Sequence, residues 1–403
     1  MAAISQAEYP QAAPHAKAPG TLASHTAAGA TALHVSEVTS RPAFMRVQDE
    51  WNALVRATDD QPFYRHEWFR IWLDNFAADA RWRILVARDG EGKLTGALPL
   101  IEQRGVVLGA PARCLCAAAN DHTPRFDLIT ENPEEVAAAF IGHLRRDRNW
   151  DILHLPCVPP GGHAWRLYEA ATQTGHPTGT WHGDNSPYFP LPATHEEMQK
   201  QLDTKFKANL RRRHKRLAEK GPVTVQRASG ERDLAYHLEE GFAVEQSGWK
   251  GREGTAIAQD GHVAGFYSEL ARFAAQDGSL ALYYLRVDGK AVAFHYGLAY
   301  GSTYYLLKPG YDESVKECSP GQLLMDEVVK QCISDGLIEF DFLGPDMPWK
   351  RDWASDSRQH TRLYIFRDGP YGRFLRNYKF KWSRQLKHAV TWLVDSGAGI
   401  GLG

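Results

Sequence analysis

The 403-residue sequence predicts an α/β protein with mixed sheets, divided into two domains of related design. The length exceeds what one hydrophobic core usually covers, which predicts two domains. Alternating apolar runs typical of strands are interspersed with helical patterns in both halves. The two halves also share one order of elements: strand, helix, helix, hairpin strands, helix, strand. We therefore expect a duplicated unit in which helices cover both faces of mixed sheets.

In the first half, strand and helix patterns alternate in the expected order. The hairpin signal is WRILVARDGEGKLTGALPLIEQ, where two apolar runs flank an Asp-Gly turn. The prolines of SPYFPLP predict a break at the end of this half. The predicted elements are a strand at 33–38, helices at about 42–57 and 65–76, the hairpin, a helix at about 133–148, the strand WDILHLP and a helix near 163–174.

The second half repeats this order with little sequence identity. Its clearest part is LALYYLRVDGKAVAFHYGLAYGSTYYLLK, which predicts three strands with turns at Asp288-Gly289 and Tyr300-Gly301. The other predicted elements are the strand VTVQRA (223–228), helices near 231–247 and 261–276, a helix at about 319–335 and the strand IEFDFLG.

Composition excludes several classes of protein. Lys plus Arg (47) and Asp plus Glu (48) nearly cancel, so only local clusters of charge can indicate a polyanionic partner. The five cysteines lack C-x-x-C spacing, which argues against a disulfide framework and a zinc site and favours a reducing cytosol. No apolar run approaches the roughly 20 residues of a membrane helix. The predicted segments are a disordered leader (1–30), two domains (31–194 and 221–370), a basic connecting helix (195–220) and a basic C-terminal helix with a tail (371–403).

The connecting helix carries a cluster of positive charge. Between 205 and 220 it has a single acid, Glu219, and the following bases: Lys205, Lys207, Arg211, Arg212, Arg213, Lys215, Arg216 and Lys220. This pattern fits a solvated helix between domains, and it also fits a helix that binds the phosphates of a cofactor, a nucleotide-linked substrate or RNA. The basic, aromatic C-terminal segment packs on the core or lies on an anionic membrane surface.

Ser319-Pro320-Gly321-Gln322 predicts a helix start. Ser at the N-cap, Pro at N1 and Gln at N3 form a capping-box pattern. Gly321 also removes side-chain bulk where unpaired N–H groups and the helix dipole would face a phosphate. The sequence thus leaves two interpretations open, ordinary helix capping and a cofactor-phosphate site.

Polar residues near the ends of strands are candidates for chemistry. Asp341, which alternates with Phe340 and Phe342 at the end of a strand, suits proton handling, and Lys350 suits a developing oxyanion. A surface salt bridge explains both residues equally well. His295 is a core histidine or a base. Further candidates for binding the substrate are Trp249, Lys250, Tyr311, Asp312, Asp121, His122 and Arg212.

Four motifs together resemble the GNAT superfamily, specifically the CelD-like acetyltransferases related to the Fem peptidyltransferases. They are WKGREGTAI, VDGKAVAF, YYLLKPGYDE with SPGQLL, and FDFLGPDMPWKRDW, and the resemblance covers about 45–370. It implies tandem GNAT-like domains, with Ser319 to Gln322 at the cofactor's pyrophosphate and Leu306 on the cofactor strand. It also implies a functional role for Lys350. The usual superfamily loop has more glycines than this one.

The resemblance implies a bacterial N-acyltransferase that moves an acyl group from acyl-CoA, such as acetyl-CoA, to an amine. The amine belongs to a small molecule, a nucleotide-linked sugar or another envelope or exopolysaccharide precursor. A Fem-type aminoacyltransferase that uses tRNA and a non-catalytic module in polysaccharide assembly stay open as alternatives. No metal is expected, and the expected location is the cytoplasm, with the inner-membrane surface as an alternative.

Overall fold

The computed structural model describes residues 33–107 and 110–382. Within these ranges, the side chains of Val106, Val107, Ala110, Trp249 and Trp382 are not described. The predicted leader (1–30) lies outside the described residues, and so does the part of the predicted tail from 383 onwards.

The first half contains nine strands and five α-helices in the described residues. The strands are β1 (His34–Val38), β2 (Arg81–Trp82), β3 (Ile84–Arg88), β4 (Leu94–Leu98), β5 (Leu100–Val107), β6 (Ala110–Ala117), β7 (Ile129–Thr130), β8 (Ile152–Val158) and β9 (Thr178–Pro190). The helices are α1 (Arg41–Arg46), α2 (Gln48–Ala57), α3 (His66–Phe76), α4 (Pro133–Arg146) and α5 (Ala164–Gln173).

The second half continues the numbering. Its strands are β10 (Val223–Ala228), β11 (Leu280–Val287), β12 (Lys290–Tyr300), β13 (Thr303–Tyr311), β14 (Glu339–Asp341) and β15 (Asp356–Phe366). Its helices are α6 (His195–Gln201), α7 (Thr204–Ala218), α8 (Leu234–Gln246), α9 (Trp249–Glu253), α10 (Gly261–Asp277), α11 (Pro320–Ser334) and α12 (Pro370–Asn377). Short 3₁₀ turns occur at Pro62–Tyr64, Ile257–Gln259, Glu313–Cys318 and Pro348–Lys350, and a π turn at Tyr378–Trp382.

One large sheet runs through both halves. Its eleven strands lie in the order β10-β11-β12-β13-β14-β9-β15-β8-β6-β5-β2, and a second sheet has the order β1-β3-β4-β7. The pairs β13–β14 and β6–β8 are parallel, and the other described pairs are antiparallel. Strand β9 of the first half pairs with β14 of the second, and β15 of the second pairs with β8 of the first. The two halves thus exchange their last strands, and the predicted mixed α/β architecture is confirmed.

The predicted Asp-Gly hairpin is confirmed as β3 and β4, but its second arm divides between the two sheets. Pro99 separates β4 from β5, and β5 joins the large sheet. A proline has no N–H to give to a ladder, so it commonly interrupts one. Its carbonyl still accepts a bond from Ala118 N–H at 2.9 Å.

Two predicted elements have other bounds. SPYFPLP contains the end of a strand, since β9 runs into it and stops at Pro190 after stacking Phe189 on Phe340 at 5.3 Å. The connecting segment forms two helices, because Asp203 caps the start of α7 by accepting a bond from Phe206 N–H at 2.9 Å. The strand IEFDFLG is only three residues long, because Leu343 turns the chain away with φ 51°.

Two apolar clusters hold the second half's sheet. The first cluster joins both halves, where Trp68 meets Phe266 at 5.4 Å and Phe63 meets Tyr305 at 5.1 Å. The second cluster lies on the opposite face of the sheet beneath α7 and α11, and Phe206 of α7 packs on Trp353 at 5.4 Å. Over the part of the chain that the structure describes, no helix has the length and apolarity needed to cross a membrane.

Candidate active site

Strands β13 and β14 diverge after a short parallel contact. Their pairing extends only from Thr303 opposite Glu339 to Tyr305 opposite Asp341, whereas β13 runs on to Tyr311. From Leu306 onwards, β13 pairs on one edge only, with β12. Backbone N–H and C=O groups on a free strand edge are available to a ligand. The free edge opens a cleft between β13 and the chain that leaves β14.

The register between β12 and β13 shifts inside this free segment. Leu306 lies opposite Gly297, and Lys308 lies opposite Tyr296, so Leu307 is the extra residue of a bulge. A bulge re-aims the side chains that follow it. The predicted cofactor-strand residue Leu306 is itself buried in the second cluster, which leaves only its backbone for a ligand.

Asp341 lies at the apex of the cleft and is fully buried. Its carboxylate is bonded by Arg125 of the first half and by Arg358 Nη1 at 3.0 Å, and its Oδ1 accepts the N–H of Leu343 at 2.8 Å. Burial opposes the charge of Arg125, but the neighbouring Asp341 carboxylate holds the arginine pKa above its ordinary value. Two guanidinium groups and a backbone N–H thus already occupy the carboxylate of Asp341. Its predicted part in proton transfer stays a prediction.

Lys350 clamps the loop that follows β14. Its Nζ donates to the carbonyls of Leu343 at 2.6 Å and Pro345 at 2.8 Å. Leu343 and Gly344 both have a positive φ, a conformation in which the loop bends sharply around the ammonium. Burial lowers the pKa of Lys350 to about 8. The predicted catalytic lysine therefore lies beside the cleft, and its two observed bonds are structural.

The start of α11 differs from the predicted capping box. Ser319 is left-handed (φ 47°) and makes no side-chain cap bond. Gln322 donates to Trp349 O at 3.2 Å and accepts from Trp353 Nε1 at 2.6 Å, so it does not return to the N-cap. The capping-box prediction was wrong because two tryptophans in the Lys350 region compete for this amide.

Gly321 keeps the outer side of this helix start accessible. The N–H groups of Gln322 and Leu323 bond to Ser319 O, whereas the N–H of Gly321 has no acceptor among the described residues. A Cβ at Gly321 would touch only Tyr311 Cδ1, at 3.6 Å. Tyr311, a predicted substrate residue, thus lies next to the predicted phosphate position. Pro320, which belongs to the same predicted phosphate site, is buried.

Lys250 joins the loop after α8 to β13. Its Nζ donates to Glu245 Oε1 at 2.7 Å and to Pro309 O at 2.9 Å, and Glu245 also accepts the N–H of Ile257. Gly310 is required here, because a Cβ on it would lie 2.7 Å from Glu245 Cα. The predicted substrate lip is therefore fixed to the free strand. Trp249 begins α9, and its side chain is not described.

A polar cluster lies where the first half faces β13. The Nδ1 of His122 is 3.4 Å from the hydroxyl of Tyr267, and its ring stacks on Phe76 at 5.7 Å. Lys308 Nζ lies 5.4 Å from the centre of the Tyr267 ring. Burial, together with the charge of Lys308, lowers the pKa of His122 to about 3, so this histidine is neutral at pH 7. Asp121 is exposed beside it.

The other predicted residues have local roles. His295 is buried on β12, its Nδ1 lacks a partner among the described residues, and burial lowers its pKa to about 3. Asp312 caps the turn after β13, accepting from Lys290 Nζ at 2.8 Å and Ser314 N–H at 2.9 Å. Arg212 is exposed on α7 and donates to Asn209 at 3.1 Å.

Sequence reasoning missed three residues that the structure brings to the cleft. Arg125 follows the noted Asp121-His122 pair by three positions, and Lys308 interrupts an otherwise apolar strand, which was a usable signal. Tyr267 had no signal, because its place opposite Lys308 follows only from how α10 packs. Within the described residues, no group of three or more His, Cys, Asp or Glu side chains is arranged to hold a metal ion.

Comparison with known proteins identifies the domain that carries the cleft. Residues 204–351 match the family model described as an acetyltransferase (GNAT) domain. This segment runs from α7 through β14 to Arg351 and includes both diverging strands. No curated protein matches the chain in sequence.

Solved structures share the fold at low sequence identity. FemX aligns with a TM-score of 0.52 at 11% identity, over 83% of this chain and 98% of that chain. A conserved protein of unknown function from Bacteroides thetaiotaomicron VPI-5482 aligns with a TM-score of 0.50 at 12% identity, over 83% of this chain and 100% of that chain. The TM-scores show a common fold. At such low identities a common fold does not imply a common chemistry.

Proposed function

From the premise that this chain carries a GNAT domain, we propose that it is an N-acyltransferase that moves an acyl group from acyl-CoA to an amine. The observation that carries the proposal is the divergence of β13 and β14 beside the accessible start of α11. The free edge of β13 offers backbone donors to a thioester carbonyl, and Gly321 offers an N–H to a phosphate. Both features belong to the matched segment.

The chemistry needs little beyond positioning in this cleft. The amine nitrogen attacks the thioester carbonyl, a C–N bond forms, the C–S bond breaks, and coenzyme A leaves as a thiolate that takes up a proton. Backbone N–H groups on the free edge of β13 would stabilise the oxyanion of the tetrahedral intermediate. Because Asp341 is held by two arginines, we assign the proton lost by the amine to water.

Residues around α11 fit the cofactor's phosphates only in part. The free N–H of Gly321 and the dipole of α11 suit one phosphate oxygen. Further positive charge comes from Arg216 of α7 and from Lys220, which follows this helix, and both charges act on the Cys318 thiol. We propose that side-chain cations of α7 replace the backbone donors of a more glycine-rich loop.

A bulkier residue at Gly321 tests this proposal. Gly321→Val should weaken acetyl-CoA binding by about tenfold, because its side chain blocks the one free N–H of the first turn. Isothermal titration calorimetry with acetyl-CoA measures the change. Gly142→Val in α4 is the control for adding valine to a helix, since a Cβ there has no neighbour within 4 Å and a Cβ at Gly321 touches only Tyr311 Cδ1. No binding of acetyl-CoA by the wild-type chain would overturn the proposal.

The exposed basic surface of α7 favours a second candidate, aminoacyl transfer from tRNA. Lys205, Arg211, Arg212, Lys215 and Arg216 are exposed and have no ion-pair partner among the described residues. RNA contacts of this kind release counterions, so the observed affinity would fall steeply with salt. Binding of tRNA measured from 50 to about 200 mM KCl, in parallel with acetyl-CoA titration, separates the two donors. If neither donor binds, the non-catalytic alternative is favoured.

A further inference from the structure

Lys308 is an unusual residue for its position. It lies on β13, three residues or about 10 Å beyond the last residue paired with β14. Beyond the bulge at Leu307, its ammonium lies over the ring of Tyr267 on α10, the residue that also meets His122 of the first half. It therefore lies beside the free edge of β13, where the proposed thioester would bind.

The ammonium of Lys308 is half-buried and lacks a counter-ion. Among the described residues, no acceptor lies within hydrogen-bond distance of its Nζ, and no carboxylate forms an ion pair with it. The nearby carboxylate Glu245 is already bonded to Lys250 and Ile257. Asp121 acts on Lys308 only through space, and His122 is neutral. A partly desolvated charge without a partner is unfavourable unless a ligand supplies one.

We propose that Lys308 binds an anionic group of the acceptor, so that the acceptor is an amine that also carries a carboxylate or a phosphate. This inference rests on the proposed acyl transfer. An oxyanion bonded to the ammonium would receive a charge-assisted hydrogen bond. The Tyr267 ring forms an apolar wall beside this position.

The ionisation of Lys308 is consistent with this role. Burial, followed by the charge of Lys250, lowers its pKa to about 8. At pH 7 the ammonium form still predominates. Binding an anion would favour that form further.

The test compares matched acceptors that differ in one charge. The pairs are glucosamine 6-phosphate against glucosamine and glycine against glycinamide, each with acetyl-CoA, and thiol release gives kcat/KM. The first pair tests a phosphate and the second a carboxylate. We expect the wild-type chain to favour the anionic member of at least one pair. Lys308→Met should lose that preference by about tenfold, whereas kcat/KM for the neutral member should change by less than about threefold.

Two control variants define the outcome. Lys308→Arg keeps the charge and should keep much of the preference, and Lys93→Met, on the exposed hairpin of the first half, should behave as wild type. Equal losses for both members of a pair in Lys308→Met would overturn the inference, since they would indicate a catalytic or structural role. No preference in an active wild-type chain would overturn it as well and would leave acyl transfer standing.

Binding without turnover separates this inference from the proposed function. Saturation-transfer NMR with glucosamine 6-phosphate and glycine reports contact without acyl transfer. If none of the four amines is acetylated, the proposed acyl transfer to them fails. Binding of glucosamine 6-phosphate or glycine that Lys308→Met abolishes would still support anion binding by Lys308. Absence of binding to the wild-type chain in that experiment overturns anion binding by Lys308.

Discussion

The two halves contain the same diverging parallel strands and use them differently. In the first half, β6 and β8 pair over three positions, ending with Cys116 opposite His154. In the second half, β13 and β14 also pair over three positions, ending with Tyr305 opposite Asp341. Each third position is therefore structurally equivalent to the other. The cleft of the first half is filled by protein, and the cleft of the second half is lined by charged groups.

A single loop accounts for the difference. After β6 the chain returns along β8, where Phe126 N–H donates to Cys157 O at 3.2 Å and so occupies the first half's free edge. The same loop sends Arg125 to Asp341 and places His122 beside Tyr267 in the second half. At His154 the first half has an aromatic stack with Tyr364 at 4.5 Å. The two halves thus contain comparable strand pairs, and the loop of the first half contributes residues beside the cleft of the second.

The largest expected effect comes from Asp341. Asp341→Asn leaves two arginines without their shared carboxylate, and we expect turnover to fall at least about tenfold. We expect the free energy of unfolding to fall by about 3 kcal/mol, within the usual stability of a folded chain. Initial rates and urea unfolding measure the two effects.

The structurally equivalent position gives the control for Asp341. His154→Phe keeps a ring against Tyr364, and burial already lowers the His154 pKa to about 3, so no charge is lost at neutral pH. Its turnover should stay within about twofold of wild type. A similar loss of activity in both variants would contradict the assignment of the chemistry to the second half.

Lys350 gives the next effect, which depends on pH. Its pKa is about 8 in the folded chain, against an ordinary 10.5, so the unfolded chain binds more protons between these values. The penalty for burying the charge is fully present below pH 8 and is relieved as the pH rises towards 10.5. Relative to Lys350→Met, the wild-type free energy of unfolding should therefore increase from pH 8 to pH 10, by up to about 3 kcal/mol.

Urea unfolding of both proteins at several pH values measures this change. Lys350→Met should also lower turnover by about tenfold, because the loop beside Asp341 loses both carbonyl bonds. Arg351→Met, which removes an exposed ion pair with Asp346 in the same loop, is the control. If the stability difference between wild type and Lys350→Met stayed constant with pH, a lowered pKa of the buried Lys350 ammonium would be excluded.

The smallest expected effect comes from the base of the shared loop. Asp127 accepts N–H bonds from Leu128 at 2.8 Å, His163 at 2.9 Å and Ala164 at 2.6 Å, and so ties the loop to α5. Asp127→Asn should destabilise the chain by about 1–2 kcal/mol and lower turnover severalfold, although it lies in the other half. Thermal unfolding and initial rates test this. Full activity would show that the loop needs no such anchor.

Sequence patterns predicted strands β10 to β13 and their turns, because period-2 alternation and Asp-Gly turns are local signals, but they missed β15. They also placed Phe340 and Phe342 on one face of β14 and Asp341 on the other, as observed. Patterns did not give the bonds of Gln322, whose amide is taken by Trp349 and Trp353, since that competition arises only when distant segments meet.

The sequence by itself determined strands β10 to β13, the turns at Asp288-Gly289 and Tyr300-Gly301, and two candidate residues beside the cleft, Asp341 and Lys350. Only the tertiary structure decided that Asp341 is paired with Arg125 from the other half and that Lys308 has no ion-pair partner in the described part of the chain. The physical reason is that period and turn chemistry act over a few residues, whereas ion pairing and desolvation depend on which distant segments pack together. Arg125 and Asp341 are 216 residues apart in the chain, and they meet because the loop after β6 packs against the end of β14.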